Sequence, residues 1–278
     1  MSSSTSVNAV WLGTAGLFVS DGETAFYIDP YVSRISAFSV FGGRKISPDI
    51  KSIDTCISRT SGQNAAAVMI GHSHFDHLLD APEFARKTGA MLIGSESTAN
   101  VGYGAGLPQD RIRVIKNGDA IALGAFNIRF IEGIHGPAFL GRIPYPGVIE
   151  KPFAPPVKAS DYRLGGFYGM VVSHPLGTFI HHGSAGWIPG MYDGIKAHTI
   201  FLCLAGRKNT RSYIEETVLK TGAKRIIPVH HDWFFSPFEK GVHLLKGVGI
   251  DEFISEAMKT VPETEVRFVP ALMSFRVF

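Results

Sequence analysis

Three histidines and an aspartate stand within six residues, His72-Ser73-His74-Phe75-Asp76-His77, directly after the apolar run Ala67-Val68-Met69-Ile70-Gly71. Imidazoles and a carboxylate this close repel when charged and lose hydration when buried. A bound cation removes both costs at once. His72 and His74 are two apart, so in extended chain they project to the same side. Asp76 and His77 follow after a turn and can reach a second ion nearby. A polar turn with no ligand is the competing reading, and the density of donors argues against it. Catalytic zinc is held mostly by His and carboxylate with one position left open for water. Such a water has its pKa lowered to about 7, so the chemistry indicated is hydrolysis.

The other ligands should come from elsewhere in the fold. Of eleven histidines, His72, His74, His77, His135, His182 and His230 all fall at or just beyond the ends of expected strands. A sheet fixes such positions while the loops vary. Asp29 also ends a strand, because Pro30 disfavours helix there. It reads either as a turn-forming residue or as a partner that orients a metal-ligating histidine. His231 can exchange roles with His230, and Asp232 either orients a ligand or turns the chain. Trp187 and Trp233 follow site loops and read as core or as pocket lining. His174, His198 and His243 read as ordinary.

Strands with tight turns are expected at 7–12, 16–19 and 24–28. Residues 33–64 are open between a loop over the site and an ordinary excursion, with room for a short helix after Pro48. Asp80-Ala81-Pro82-Glu83 is a helix start with Asp80 as the cap, and Gly89 stops that helix. A strand at 91–94 completes a β-loop-α-β unit. Further strands are expected at 111–115, 120–123, 126–131, 167–173, 178–182, 199–204, 225–229, 266–269 and 272–277. Helices follow at 210–220 and 249–260, the second with Phe253, Ile254, Ala257 and Met258 facing inward. From Ala138 to about Gly166 the chain has no regular period, and prolines alternate with Phe139, Tyr145, Phe153 and Tyr162. A stretch this long without secondary structure is read as a pocket-lining insertion, a linker being the plainer alternative.

Composition sets the limits. The chain has 278 residues, 45% hydrophobic and 18% charged, which suits a well-buried interior. A net charge of +3, with no basic cluster beyond Arg44-Lys45 or Lys224-Arg225, gives no case for nucleic acid. No stretch reaches the roughly 18 apolar residues of a membrane span. Cys56 and Cys203 make neither a disulfide scaffold nor a cysteine zinc site. Residues 1–6 carry no secretory pattern and read as a disordered tail, so a cytoplasmic protein with a small-molecule substrate is expected. Nothing in the sequence bears on a homo-oligomer.

The cluster resembles the His-x-His-x-Asp-His signature of the metallo-β-lactamase superfamily. Its setting is similar too, with an apolar strand before it, a helix after it and Asp29 ending an early strand. The resemblance covers roughly residues 7–275. It implies an α/β fold, the four-layer αββα sandwich, as a single domain over 7–278 with the insertion at about 138–166. By position it implies that His72, His74 and His135 hold one divalent ion and Asp76, His77 and His230 a second. Zinc is the first expectation, with manganese or iron as alternatives. A hydroxide between the ions is then the nucleophile, with Asp76 and Ser184 as the catalytic candidates. Ser184, in His182-Gly183-Ser184, departs from the pattern, because most hydrolases of the family have Asp there. Its hydroxyl is expected to hydrogen-bond the hydroxide, or His182 to swing in as a substitute ligand. Trp11-Leu12-Gly13 and Ile28-Asp29-Pro30 look like the branch with ascorbate-6-phosphate lactonase-like hydrolases; the branch that cleaves N-acyl-phosphatidylethanolamine is similar. The function implied is hydrolysis of a lactone, ester or amide in a partly hydrophobic pocket that includes Phe234-Phe235. The alternatives are a phospholipase D-like phosphodiesterase, with Arg34, Arg142 or Arg207 on the phosphate, and a non-catalytic metal-binding protein.

Overall fold

The computed structural model describes residues 6–138 and 140–278. Most of the expected tail and Phe139 of the insertion therefore lie outside the described residues.

Alternation governs the first strand. β1 (Asn8–Trp11) sends Ala9 and Trp11 to one face and Val10 to the other. It pairs antiparallel with β2 (Leu17–Ser20), which pairs antiparallel with β3 (Ala25–Ile28). The turn between them is set by Asp21, whose Oδ1 accepts from the N–H groups of Glu23 and Thr24. After α1 (Ala37–Phe41) and β4 (Lys45–Ile46) comes α2 (Ile50–Thr60), capped by Asp49 and stopped by Ser61 in a left-handed conformation. A parallel partner strand needs a crossover. Here α2 supplies it, and β5 (Ala67–Met69) lies parallel to β3. The chain continues through α3 (Phe75–Leu78), α4 (Ala81–Thr88), β6 (Met91–Gly94), α5 (Glu96–Gly104) and β7 (Ile112–Val114).

The second half begins with the hairpin of β8 (Ala120–Leu123) and β9 (Phe126–Gly133). A short β10 (Val157–Lys158) pairs with β4. β11 (Phe167–His174) and β12 (Gly177–His182) form an antiparallel pair, and β13 (Thr199–Cys203) lies parallel to β12. The helix α6 (Thr210–Ile214) widens over Glu215–Leu219 before β14 (Arg225–Val229), α7 (Ile250–Thr260), β15 (Glu265–Val266) and β16 (Ser274–Arg276). Two seven-stranded sheets result, β16-β1-β2-β3-β5-β6-β7 and β15-β14-β13-β12-β11-β9-β8.

The sheets face each other across a core that includes Trp11, Phe26, Phe126, Phe130 and Phe179, all buried. Each such side chain contributes about 1.5–3 kcal/mol on burial, so the facing of the two sheets is strongly fixed. The outer face of the first sheet is covered by α2 and α4, through Ile53, Ile57, Phe84 and Ala85. Tyr213, Ile214, Phe253 and Ala257 of α6 and α7 pack on the second sheet. The order is helix, sheet, sheet, helix, the αββα sandwich expected.

Several details differ from the sequence reading. Asp80 does not cap α4. Its carboxylate turns back and accepts from the N–H groups of Val32 and Ser33 and from the Ser33 hydroxyl, at 2.7, 2.8 and 2.5 Å. The turn from α3 into α4 keeps Asp80 itself helical, so no free N-terminus needs it. Helix α5 was not anticipated, although Ser95 caps it by accepting from Thr98 N–H. Met258 is 68% exposed rather than inward, since only Phe253 and Ala257 of α7 are fully buried.

Candidate metal centre

β3, β5, β9, β12 and β14 bring their C-terminal ends together, and the cluster forms there. Beyond β5, Gly71 N–H donates to Asp29 Oδ1 at 2.7 Å. A Cβ on Gly71 would stand 3.2 Å from Asp29 Oδ2, so glycine permits the approach. The same Oδ2 lies 3.0 Å from His77 Nδ1, which leaves His77 Nε2 free to accept a metal. His74 is held from behind by the carbonyls of Pro144 and Tyr145, with its Nε2 buried and unpartnered. His135 Nδ1 is tied to Gly136 O at 2.6 Å, and His230 Nε2 lies 3.2 Å from Asp76 Oδ2.

Two triads emerge among the described residues. In each of them, His72 with His74 and His135 and Asp76 with His77 and His230, one ligand atom per residue lies within 4.8 Å of the others. His72 Nδ1 and Nε2, His74 Nε2, His77 Nε2 and His230 Nδ1 are all buried without a hydrogen-bond partner. An orphaned buried polar atom costs about 1–3 kcal/mol, and so many in one place fit cations as the missing partners. The donor set of nitrogen with one carboxylate suits zinc, manganese or iron.

Electrostatics favours the ligating forms. Burial and the neighbouring imidazoles hold His72 well below its ordinary range. Burial lowers His74 to about 4 and His135 to about 3. Neutral imidazole is the form that binds metal. Burial also acts downward on His77, but Asp29 and Asp76 outweigh it and the net shift is upward. Burial pushes Asp76 up, yet His77 and His230 outweigh it and keep the carboxylate ionised.

A pH dependence follows for the metal-free protein. His74 and His135 take up protons near 6.5 when unfolded but only at about 4 and about 3 when folded. The unfolded chain therefore binds more protons in that window, and stability falls as pH falls. His77, shifted upward, opposes this in part. Thermal unfolding in chelator should show a midpoint that drops from neutral pH toward about 4. A flat midpoint would mean that these imidazoles are not held neutral.

A buried clamp fixes the turn that carries His230. His230 has φ +54°, an uncommon conformation for a residue with a side chain. Its N–H donates to Thr14 O at 2.6 Å, and Thr14 N–H donates to Asp232 Oδ1 at 2.9 Å. Asp232 Oδ2 in turn holds Arg34 Nη1 at 2.7 Å, with both side chains almost fully buried. Arg34 also donates to the Trp233 and Ser236 carbonyls. Its expected role as a cation for substrate is thus corrected, because every face of the guanidinium is engaged. Arg207 is corrected likewise, being bound to Glu252 and to the carbonyls of Leu204, Val248 and Gly249. Arg142 is exposed.

Ser184 is buried and its Oγ accepts from Gly136 N–H at 3.1 Å, which ties the loop of His135 to the end of β12. Ser184→Ala should leave that N–H unpaired and cost about 1–3 kcal/mol. Denaturant unfolding of the metal-free protein measures this, and an unchanged midpoint would remove the tie from the account. His182 does not swing in. Its Nδ1 meets the Tyr192 hydroxyl at 2.7 Å and its Nε2 the Gly186 carbonyl at 2.9 Å, so both nitrogens are taken. His181, its neighbour in the strand, is the one near Asp29, and it bonds Ala15 O at 2.8 Å. His231 does not exchange with His230, since it stacks on Trp11 at 4.8 Å. Trp187 is half-buried against the inter-sheet core, and Trp233 packs on Phe235.

The stretch at 138–166 supports the motif. Leu164 O accepts from Ser73 N–H, and Ile149 is bonded through its N–H to Ser97 and through its carbonyl to Asn100 of α5. Tyr145, not singled out as a site residue from the sequence, sets its ring 6.4 Å from that of His74. Burial, then the Asp76 charge, raises its phenol, so it stays protonated and able to donate. An aromatic among prolines was the sole sequence signal for it.

No family model matches the chain. A UPF0173 metal-dependent hydrolase of Rhizobium leguminosarum is 27% identical over 128 residues, 46% of this chain and 47% of that protein. The match therefore spans about half the length of that relative. Among solved structures, Igni18, a metallo hydrolase from the archaeon Ignicoccus hospitalis, matches with a TM-score of 0.62 at 15% identity over 98% of each chain. The metallo-β-lactamase fold protein YhfI from Bacillus subtilis gives a TM-score of 0.58 at 15% identity, covering 97% of this chain and 98% of that one. Likeness at this level shows the fold, which is that of the metallo-β-lactamases.

Proposed function

We propose that this chain, with its metallo-β-lactamase fold, is a metal-dependent hydrolase acting on a lactone, ester or amide. One observation carries the reading: two triads of buried side chains whose ligand atoms lie within 4.8 Å of one another, with nitrogens of His72, His74, His77 and His230 buried without a hydrogen-bond partner. The hydrolase relatives support it, as does the resemblance of the Trp11 and Asp29 segments to the lactonase-like branch.

His72, His74 and His135 would hold one ion, and Asp76, His77 and His230 the other, zinc being our assignment. When bound, such ions activate water near neutral pH and polarise a carbonyl. The chain's own contributions are separate from that. Asp29 holds the ring of His77 by its Nδ1, and the Pro144 and Tyr145 carbonyls hold that of His74. Asp76 keeps a negative charge among the histidines and balances the cations. Tyr145 offers a phenol proton beside His74 for a substrate oxygen. Phe234, with its ring 5.0 Å from that of His230, gives the same region an apolar side.

A phosphodiesterase of the phospholipase D type remains the second reading of the same residues. The inward commitment of Arg34 and Arg207 favours the carbonyl substrate over it. Metal analysis after purification without chelator, paired with turnover of generic lactones, esters and bis-aryl phosphates, tests both. About two ions per chain with carbonyl turnover is the expected result. Turnover of phosphate diesters alone would move the assignment to the second reading. Bound metal without turnover would leave a binding protein, and absence of metal would overturn the proposal.

A further inference from the structure

The two triads of the metal centre are not alike, and the difference lies in where the chain puts its buried carboxylates. Five acids are buried among the described residues: Asp21, Asp29, Asp76, Asp80 and Asp232. Three of them are engaged elsewhere. Asp21 shapes the turn between β2 and β3, Asp80 holds Val32 and Ser33, and Asp232 faces Arg34. The other two both serve the second triad. Asp76 belongs to it, with Oδ2 3.2 Å from His230 Nε2 and 3.9 Å from His77 Nε2. Asp29 stands behind it, with Oδ2 3.0 Å from His77 Nδ1.

The first triad is three imidazoles with no carboxylate. Carbonyls back it, those of Pro144 and Tyr145 behind His74 and that of Gly136 behind His135. The end of β12 adds a hydroxyl rather than a charge, and that hydroxyl, Ser184 Oγ, already accepts from Gly136 N–H. The triads also abut, the ring centroids of His72 and His77 being 3.8 Å apart. Divalent charges held side by side in a buried site repel strongly, and both carboxylates that offset them favour one side. Removing a carboxylate from behind a ligating histidine costs about 10–100-fold in metal affinity. The second triad has that support and a charged ligand besides.

We propose that the triads bind unequally: Asp76, His77 and His230 hold a resident ion, whereas His72, His74 and His135 hold an exchangeable one whose occupancy follows the free metal concentration. With metal in excess both triads fill. The inference rests on the metal-binding reading above and makes metal supply the control on the same site.

The test is titration of the metal-free chain with zinc in competition with a chromophoric chelator, with no substrate present. Two resolved steps are expected, with Kd values about tenfold or more apart. His74→Ala should remove the weak step and leave the tight one. Asp29→Asn should weaken the tight step by about tenfold or more and leave the weak one. An asparagine keeps an acceptor for Gly71 N–H and tolerates the φ of +45° at this position, so folding should persist. If circular dichroism shows otherwise, Asp76→Asn reads the same step. Equal constants for the two ions would overturn the proposal and leave the hydrolase reading standing. Loss of the tight step in His74→Ala, or its survival unchanged in Asp29→Asn, would do the same. A chain that bound no zinc would overturn both.

Discussion

Replacing His74 with alanine should empty the first triad and abolish turnover while leaving the chain folded. His74 is 97% buried in effect, at 3% exposure, and its Nε2 has no partner other than what the triad would hold. Without it, His72 and His135 offer two ligands where a stable site needs three or four. Changes to residues that only orient a ligand cost about 10–100-fold in metal affinity, and loss of the ligand itself should exceed that. The fold should survive, because removing His74 also removes an unsatisfied buried nitrogen. Elemental analysis, circular dichroism and turnover, measured together, decide the matter. A His74→Ala chain that kept both its metal and its activity would sink the assignment of the whole centre.

The second large effect is expected at Asp232. Asp232→Ala leaves the Arg34 guanidinium buried without its counter-ion and Thr14 N–H without its acceptor. Breaking one side of a buried ion pair costs about 3–5 kcal/mol. The same change releases the Thr14 carbonyl that holds His230 in its left-handed turn, so the second triad should weaken too. Denaturant unfolding in chelator gives the first quantity and metal stoichiometry the second. A double replacement, Arg34→Met with Asp232→Leu, separates them, because an apolar pair can restore stability. It cannot restore the turn of His230, so metal loss should persist. A single variant within about 1 kcal/mol of the native chain would show that the pair is not holding the turn.

The difference between these two residues explains what a reader of the sequence can see. His72, His74, Asp76 and His77 are legible because one strand end and one helix start bring them together within six residues. Asp232 and Arg34 are 198 residues apart, and no local pattern joins them. Arg34 reads as a cation for a substrate phosphate because its partner Asp232 lies too far along the chain to be paired with it by eye. His182 and His181 show a second limit. In β12 neighbouring side chains take opposite faces, and a shift of one residue in register exchanges them. Individual strands and helices were legible from their apolar runs and turn residues, whereas the layering of the sandwich was implied only by the resemblance that the His/Asp motif carries. Asp80 was misread for the opposite reason. A strong local rule assigned it to its own helix, whereas Val32 and Ser33 of a distant segment took its carboxylate.

β16 pairs with β1, setting Asn8 opposite Arg276 and Ala9 opposite Phe275. The first sheet thus borrows its outermost strand from the far side of the second. As the chain leaves the ribosome, β1, β2 and β3 emerge early, but the outer edge of β1 stays open until residues 274–276 have been made. An open edge is a template for pairing with other chains. The early half of this protein therefore carries an unpaired outer edge on β1 until the end of the chain has been made.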